Sequence, residues 1–245
     1  MIVKAMILAA CVMLAGSAPA GPGRQFPSDS FTTSLGELEI VFIAHGTLYF
    51  RVAGRVIHID PVGRYADYTD LPDADLILVT HEHGDHLDPD AIAAISDEGT
   101  RLICSAACRD DAPDGIVMAN GDTREEFGLT IEAVPAYNIV HMRSADQPFH
   151  PRGRGNGYVL TIGDTRVYVA GDTENTPEMK ALKDIDIAFL PMNLPYTMTP
   201  EMVADAARAF HPRILYPYHY GNTDTGELVE LLADTDIEVR IRDLK

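Results

Sequence analysis

The stretch Leu76-Ile77-Leu78-Val79-Thr80-His81-Glu82-His83-Gly84-Asp85-His86 carries the strongest structural signal in this chain. Its four leading apolar residues predict a buried strand. Four potential metal ligands follow this strand: His81, His83, Asp85 and His86. They can face a common centre only if the chain turns tightly, and Gly84 supplies the backbone freedom for that turn. Because imidazole and carboxylate groups bind zinc, manganese and iron, the stretch predicts a transition-metal site rather than a solvated polar loop.

The segments around this stretch predict a fold built mainly from short strands. Ten further runs are apolar or alternate in the way that strands do: residues 38–43, 47–52, 56–59, 101–104, 116–119, 129–134, 158–162, 166–170, 185–190 and 214–218. Helices are predicted after Asp88-Pro89 and Thr199-Pro200 and over residues 227–232, and a last strand is predicted near Val239. This order indicates an α/β fold in which two packed sheets are flanked by helices.

The composition indicates one large domain. The chain has 245 residues, of which 46% are hydrophobic, and its glycines and prolines are spread along it rather than gathered in a linker. A net charge of −18 argues against nucleic acid or an anionic membrane surface as a partner, because such binding needs clustered Lys and Arg. It does not argue against a small anionic substrate, since a bound metal ion can outweigh the surrounding charge.

The N-terminal residues 1–20 predict a signal peptide. Lys4 precedes an apolar run, and Ala18-Pro19-Ala20 offers a small-residue cleavage site. We therefore expect a periplasmic or secreted protein whose mature chain is not inserted in a membrane. A lipoprotein attached through Cys11 is the less favoured alternative. Residues 21–35 are predicted to be a flexible segment, and residues 36–245 form the predicted domain. Cys104 and Cys108 are expected to be buried thiols rather than a disulfide.

The motif His81-x-His83-x-Asp85-His86 resembles the signature of the metallo-β-lactamase superfamily, whose fold is an αββα sandwich of two mixed sheets flanked by helices. Three further segments resemble that family: Ile59-Asp60-Pro61, Ala170-Gly171-Asp172-Thr173 and Pro217-Tyr218-His219-Tyr220. Within the superfamily, the segment Pro195-Tyr196-Thr197-Met198-Thr199-Pro200 is similar to the branch of ascorbate-6-phosphate lactonase and related metal-dependent hydrolases. Phospholipase D acting on N-acyl phosphatidylethanolamine is a more distant relative. The resemblance implies hydrolysis of a lactone or a phosphodiester.

The resemblance also implies a role for each ligand. His81 and His83 would bind one metal ion, Asp85 and His86 would bind a second ion with His219, and Asp172 would bridge the two. The spacing supports this division, because Asp85 and His86 lie beyond the turn at Gly84. The expected cofactor is one or two Zn²⁺ ions, with Mn²⁺ or Fe²⁺ as alternatives, and Asp85 and Asp172 are the expected catalytic carboxylates. The nucleophile would then be water.

One expected ligand is missing from its usual place. Family members have a third histidine for the first metal where this chain has Asn138, in Pro135-Ala136-Tyr137-Asn138. His141 and His150 are the candidates to replace it. We favour His150, because Phe149-His150-Pro151 precedes a Gly-rich turn that leads into the strand at Tyr158. If neither histidine reaches the site, a one-metal enzyme would result.

The remaining polar residues are weaker candidates. His45 could lie near the site but is expected to be a turn residue. His58 is expected to point to the far face of its strand, and His211 to end a helix. Asp60 is expected to position the ligands by hydrogen bonds rather than to bind metal. Four residues could contact a substrate: Arg152, Arg154, Tyr196 and Tyr220. For the two arginines, an exposed surface position without substrate contact is the favoured interpretation.

The sequence thus favours a hydrolase that uses metal-activated water on an ester-like bond of a small-molecule substrate. The alternative is a catalytically silent metal-binding or sensor protein of the same fold. Asp85 and Asp172 favour catalysis, because a pure binder has no need of a carboxylate at the open side of the metal. β-Lactamase activity is less favoured, and the sequence leaves the oligomeric state open.

Overall fold

The structure is a computed structural model that describes residues 26–245. The predicted signal peptide over residues 1–20, with Cys11, lies outside the described residues. No helix within residues 26–245 is long and apolar enough to cross a membrane.

The first half of the chain forms a mixed sheet of seven strands that lie side by side in chain order. The strands are β1 (Ser28–Thr33), β2 (Gly36–Ala44), β3 (Thr47–Val52), β4 (Arg55–Ile59), β5 (Leu76–Leu78), β6 (Arg101–Cys104) and β7 (Ile116–Val117). Strands β1 to β4 pair antiparallel, and β4 to β7 pair parallel. Helix α1 (Pro89–Ala94) connects β5 to β6, and 3-10 turns occur at Tyr68–Asp70 and Ala106–Cys108.

The second half forms another mixed sheet of seven strands, interrupted by a small hairpin. Its elements are β8 (Thr123–Glu126), β9 (Leu129–Ala136), the hairpin of β10 (Met142–Ser144) and β11 (Gln147–Pro148), β12 (Gly155–Ile162), β13 (Thr165–Val169), α2 (Pro177–Lys180), β14 (Ile187–Pro191), α3 (Pro200–Phe210), β15 (Ile214–Tyr218), α4 (Thr225–Leu231) and β16 (Glu238–Val239). The order in the sheet is β16-β15-β14-β13-β12-β9-β8, with β13 to β16 parallel.

Both faces of the first sheet are buried, and the alternation of its strands divides their side chains between two clusters. Leu76 and Leu78 of β5 lie in the main core, which also contains Val159 and Phe189 of the second sheet. Ile77 points to the opposite face and joins the cluster that includes residues of α1. On the far side of the second sheet, Phe210 of α3 packs edge-on against Tyr168 of β13, with ring centroids 6.1 Å apart. The layers are therefore helix, sheet, sheet and helix, as predicted.

The two sheets meet along one edge, at the carboxyl ends of their parallel strands. The Asn156 N–H donates to the Thr80 carbonyl over 2.9 Å and joins the sheets there. Gly171 follows β13 with a φ of +65°, and a Cβ at this position would lie 2.9 Å from both the Asn156 carbonyl oxygen and Thr80 Cβ. Only glycine fits this conformation and this contact, so Gly171 lets the chain turn and present Asp172 at the edge.

The predicted strands and helices are confirmed, but the prediction of a flexible segment over residues 21–35 is wrong for its second half. Ser28–Thr33 forms β1, which pairs with β2 along its whole length. Its single large apolar residue, Phe31, packs against the core, and Asp29 accepts two hydrogen bonds from Arg242 at 2.6 and 2.7 Å. Backbone pairing stabilises this polar edge strand, and its sequence gives little apolar signal. The polar strand β8, the hairpin and the short helix α2 were not predicted either.

Cys104 and Cys108 are free and buried, as the sequence predicts.

Candidate metal centre

Eight side chains with metal-ligating atoms gather in two groups at the edge where the sheets meet. The ligating atoms within each group lie within 4.8 Å of one another. The first group is His81, His83, His150 and Asp172, and the second is His45, Asp85, His86 and His219. All seven ligands predicted from the sequence belong to these groups. His45 is the additional member.

The first group is centred on the carboxylate of Asp172. Asp172 Oδ2 lies 3.2 Å from His150 Nε2 and 3.9 Å from His81 Nε2. His81 Nε2 in turn lies 3.1 Å from His83 Nδ1. The predicted replacement of the missing third histidine by His150 therefore agrees with the geometry.

The second group is centred on Asp85. Its Oδ2 atom lies 3.3 Å from His45 Nε2 and 3.6 Å from His219 Nε2. The rings of His86 and His219 stack with centroids 5.2 Å apart. Asp85 is the most exposed carboxylate of the site, with 32% of its side chain accessible, and it faces the cleft described below.

Asp172 faces both groups at once. Besides its contacts in the first group, Oδ2 lies 3.5 Å from His219 Nε2, and Oδ1 lies 3.4 Å from His86 Nε2. The side chain is 4% exposed. This position between the groups is the one expected of a carboxylate that bridges two metal ions.

The polar atoms that point into the centre fit a metal ion. Asp172 Oδ1, His86 Nε2 and His219 Nε2 are buried and have no hydrogen-bond partner among the described residues. Buried polar atoms rarely stay unpaired, so three that converge on one centre indicate that something else satisfies them. The donors are imidazole nitrogens and carboxylate oxygens, which suit Zn²⁺, Mn²⁺ or Fe²⁺.

Asp60 holds the ligands in position from behind, as predicted. Its Oδ1 atom accepts the Thr80 N–H at 2.7 Å, and its Oδ2 atom lies 2.7 Å from His86 Nδ1. A hydrogen bond at Nδ1 fixes the tautomer and leaves Nε2 with a free lone pair for the metal. Asp60 itself is fully buried and belongs to neither group.

Asn138 occupies the place of the missing histidine and orients its replacement. Asn138 Oδ1 accepts the His150 N–H at 2.8 Å and lies 2.7 Å from His150 Nδ1. His150 Nε2 is thereby turned towards Asp172. His141, the other candidate, lies outside both groups, with its Nδ1 atom 2.7 Å from Glu174 Oε1. Asn138 thus supports the site without supplying a ligand.

Glu174 was missed by the sequence analysis, although it organises one wall of the site. It is fully buried and accepts the backbone N–H groups of Ile139, Val140 and His141 at 2.6 to 2.7 Å. Asn138 Nδ2 donates to it as well, at 3.0 Å. A glutamate two residues after a predicted ligand gives no sequence signal for this role, because its partners are backbone groups distant in the chain.

His45 was also underestimated, as a turn residue. It does lie in the turn between β2 and β3, with a φ of +55°. This turn lies at the edge of the sheet, however, and the ring centroids of His45 and His219 are 3.6 Å apart. His45 Nδ1 lies 3.1 Å from the main-chain oxygen of Lys245, which leaves Nε2 directed at Asp85. The adjacent Gly46 leaves room for His86, since a Cβ there would come within 2.7 Å of that ring.

Burial disfavours protonation of several of the histidines. It lowers the pKa of His81 well below the ordinary value, and it lowers the pKa of His45 and His83 in the same direction. Burial also acts against protonation of His86, but the charges of Asp172 and Asp60 raise its pKa well above the ordinary value. A metal ion must displace that proton to bind His86 Nε2, so metal binding is coupled to pH.

A cleft of about 430 Å³ opens over both groups. It is lined by His83, Gly84, Asp85, Arg143, Phe149, His150, Asp172, Asn193, Tyr196 and His219. Tyr196, one of the residues predicted to contact substrate, therefore lies at the site. Arg154 forms an ion pair with Glu82 and lines a small pocket beside His81 and His150, so it also lies at the site. Arg152 pairs with Glu178, and Tyr220 is buried with its hydroxyl donating to the Arg242 carbonyl.

The other two histidines lie where the sequence predicts. His58 packs on the outer face of the first sheet, stacked on Tyr49, and His211 ends α3 in the left-handed conformation.

Comparison with known proteins defines the class. Residues 39–219 match the family model of the beta-lactamase superfamily domain. The chain therefore belongs to the metallo-β-lactamase superfamily, in the group of its metal-dependent hydrolases, as the motif resemblance implies.

Individual relatives agree with this assignment. A UPF0173 metal-dependent hydrolase of Methanopyrus kandleri is 31% identical over 196 residues, which cover 75% of this chain and 84% of the relative. One of Pyrococcus horikoshii is 31% identical over 220 residues, covering 80% and 93%. A crystal structure of a protein from Parabacteroides distasonis, assigned as a metal-dependent hydrolase, is 55% identical, with a TM-score of 0.86 over 90% of this chain and 100% of that one.

Proposed function

We propose that the protein hydrolyses an ester-like bond, in a lactone or a phosphodiester, of a small-molecule substrate. The observation that carries this proposal is the position of Asp172, which faces both ligand groups beneath an open cleft. Tyr196, in the segment that resembles the branch of ascorbate-6-phosphate lactonase, lines that cleft and supports a substrate of this kind.

The residues present fit a two-metal centre, in which each of the two groups would hold one ion and Asp172 would face both. Zn²⁺ suits this set of imidazole and carboxylate ligands, and Mn²⁺ and Fe²⁺ are alternatives. When bound, two such ions acidify water and polarise the oxygen of the bond to be broken.

The chain's own residues position the reactants. Burial acts to raise the pKa of the Asp172 carboxyl, but its contacts with His219 and His86 hold that pKa well below the ordinary value, so the carboxyl is ionised. Asp85 faces the cleft and can accept a hydrogen bond from the attacking water. Water adds to the carbonyl carbon or the phosphorus, the bond to the leaving oxygen breaks, and that oxygen takes up a proton. No serine or cysteine nucleophile is needed.

The test combines ligand variants with a substrate panel. Purified protein is assayed for metal by elemental analysis and for turnover of lactones, phosphodiesters and β-lactams. We expect His81→Ala and His83→Ala to lose metal and to lose activity on lactones or phosphodiesters while their circular dichroism stays native. His211→Ala, which changes an exposed histidine at the end of α3, serves as the matched control.

Two outcomes would count against the proposal. Unchanged metal content in both ligand variants would refute the ligand assignment. Full metal content in the unmodified protein without turnover of any lactone or phosphodiester would instead favour a metal-binding or sensor protein of the same fold.

A further inference from the structure

The cleft over the metal centre contains one cation whose charge is not matched by a carboxylate. Arg143 of β10 lines the cleft and is exposed. Its guanidinium makes no ion pair within residues 26–245 and lies over the Phe149 ring, whose centroid is 5.7 Å from Cζ. Arg152 and Arg154, by contrast, are both paired with glutamates. The charge of Arg143 is therefore available to a ligand in the cleft.

The chain leading to Arg143 is anchored beside the site. Glu174 accepts three consecutive backbone N–H groups from residues 139–141. The neighbouring Phe149 packs edge-on against Tyr196, with ring centroids 5.1 Å apart. Arg143 thus extends from a segment that the buried network of the metal centre fixes in place.

Exposed large hydrophobic residues are concentrated in two chain segments, one leading to Arg143 and the other containing Tyr196. Eight large hydrophobic residues are exposed among residues 26–245, and five of them lie in the two segments that carry Arg143 and Tyr196. These five are Ile139, Val140, Met142, Leu194 and Tyr196. Asn138 Nδ2 donates to the Tyr196 carbonyl at 2.9 Å and ties the two segments together. Because Tyr196 lines the cleft, the exposed apolar residues of these joined segments offer a binding surface next to it.

The charge of the loaded cleft favours an anion. Asp85 and Asp172 contribute two negative charges and Arg143 one positive charge, so two divalent ions would make the cleft net positive. Arg143 also lines an adjoining cleft of about 460 Å³, whose other charged residues are Asp146 and the ion pair of Glu82 with Arg154. A substrate that spans this junction would place an anionic group near the guanidinium.

We propose that the substrate is an amphiphilic anion: an ester-like compound with a carboxylate or phosphoryl group that Arg143 binds, and an apolar group that rests on Ile139, Val140, Met142, Leu194 and Tyr196. This inference rests on the proposed function, because it names the substrate class of that same site. It assigns Arg143 as the residue that selects for the anion.

The first test compares three lactones: γ-butyrolactone, its carboxylate derivative 5-oxotetrahydrofuran-2-carboxylate, and the alkyl derivative γ-nonalactone. For Arg143→Ala we expect the ratio of kcat/KM for the carboxylate lactone to that for γ-butyrolactone to fall on the order of 10- to 100-fold, the worth of a charge-assisted hydrogen bond. Arg143→Lys should recover part of this ratio. Bis(4-nitrophenyl) phosphate is assayed in parallel with the same variants. A fall in its kcat/KM relative to γ-butyrolactone in Arg143→Ala would show that Arg143 also favours a phosphoryl group.

The matched control is Arg101→Ala. It removes an exposed arginine at the amino end of β6, at the edge of the sheet opposite the site. A loss of anion preference equal to that of Arg143→Ala would show a general charge effect and overturn the proposal. The proposal is also overturned if Arg143→Ala leaves two ratios unchanged: kcat/KM for the carboxylate lactone relative to γ-butyrolactone, and kcat/KM for bis(4-nitrophenyl) phosphate relative to γ-butyrolactone.

The apolar surface is tested with Val140→Ser against Val229→Ser, an exposed valine of α4. We expect only the first variant to lower the ratio of kcat/KM for γ-nonalactone to that for γ-butyrolactone, by a few fold. If this ratio is equal in the two variants, the proposed apolar contact with the substrate is wrong.

A binding measurement distinguishes a failure of the anion-site inference from a failure of the proposed hydrolase function. Calorimetric titration of the metal-loaded protein with octanoate, and with neutral octanamide as reference, requires no turnover. If octanoate binds more weakly to Arg143→Ala than to the unmodified protein while no substrate is hydrolysed, the anion site stands and the hydrolase proposal fails. Equal octanoate affinity in the two proteins contradicts the anion site.

Discussion

Asn138 shows how a single residue can change the ligand set while the site keeps its shape. Its amide carbonyl accepts two hydrogen bonds from His150, and its amide N–H₂ donates to Glu174 and to the Tyr196 carbonyl. One buried side chain therefore connects a metal ligand, a buried carboxylate and the rim of the cleft. Partners of this kind hold ligating histidines in the tautomer that binds metal.

Replacing Asn138 should weaken metal binding without removing a ligand. For Asn138→Ala we expect a loss of metal affinity on the order of 10- to 100-fold, because His150 Nδ1 loses its acceptor. Competition with a fluorescent chelator measures this affinity, and excess metal should restore part of the activity. Asn175→Ala, whose amide bonds to Asp205 instead, is the control. Equal affinity in the two variants would show that Asn138 has no positioning role.

At the residue scale, the sequence identifies ligands better than their supports. His81, His83, Asp85 and His86 are recognisable because they follow one another after a buried strand. His45 and Glu174 are not, because their roles depend on a turn and on backbone groups brought together only by the fold. His150 could be ranked above His141 from its context, but Asn138 could be read only as a missing ligand.

Secondary-structure elements also differ in how well the sequence predicts them. Strands with both faces buried, such as β5 and β14, are apolar throughout and were predicted from composition alone. The edge strands β1 and β8 are polar, and only their pairing with β2 and β9 makes them strands. Single-sequence patterns detect burial and not pairing, so polar edge strands are the elements that they miss.

Helix α3 offers a test of local energetics, because its start was predicted from Thr199-Pro200. Thr199 Oγ1 accepts the Met202 N–H at 3.2 Å, and Pro200 occupies the first helical position. Thr199→Ala should lower the free energy of unfolding by about 1 kcal/mol, measured by urea denaturation, because the cap bond is lost. Thr199→Ser keeps the hydroxyl and should retain most of the stability. Similar losses in both variants would mean that the cap contributes little.

At the scale of the whole molecule, stability should depend on a buried histidine far from substrate. His58 is fully buried between the rings of Tyr49 and Tyr68, and its Nε2 atom donates to the Pro72 carbonyl. Burial lowers its pKa from 6.5 to about 4, because the charged form would lie in apolar surroundings. The unfolded chain takes up this proton at higher pH than the folded chain does. The contribution of His58 is therefore complete above pH 6.5 and is lost as the pH falls towards 4.

The expected fall in the free energy of unfolding is measured on metal-free protein. This excludes the pH dependence that metal binding would add. Between pH 7.5 and pH 5, His58 should account for about 2 kcal/mol of the fall in the free energy of unfolding. In His58→Phe, which cannot titrate, the fall over the same interval should be smaller by about that amount. Parallel pH profiles for the two proteins would contradict the burial argument.

In the folded molecule the two halves of the chain, one in each sheet, meet at the carboxylate of Asp172. Strand β5 of the first sheet leads into the ligand motif, while β13 and β15 of the second sheet lead into Asp172 and His219. The order of these strands could be predicted from the sequence. The distances of 3.2 to 3.9 Å that make Asp172 common to both groups required the structure.

The measurement that tests the two-metal account most directly is the metal content of Asp172→Asn. Two divalent ions about 4 Å apart repel each other by more than about 10 kcal/mol even at an effective dielectric constant near 20, and a shared carboxylate offsets this repulsion. Asparagine keeps the shape and one acceptor oxygen but removes the charge. Elemental analysis after equilibration with metal should give two ions per chain for the unmodified protein and about one for Asp172→Asn, with turnover reduced on the order of 100-fold or more. Two ions and near-normal turnover in Asp172→Asn would contradict the account.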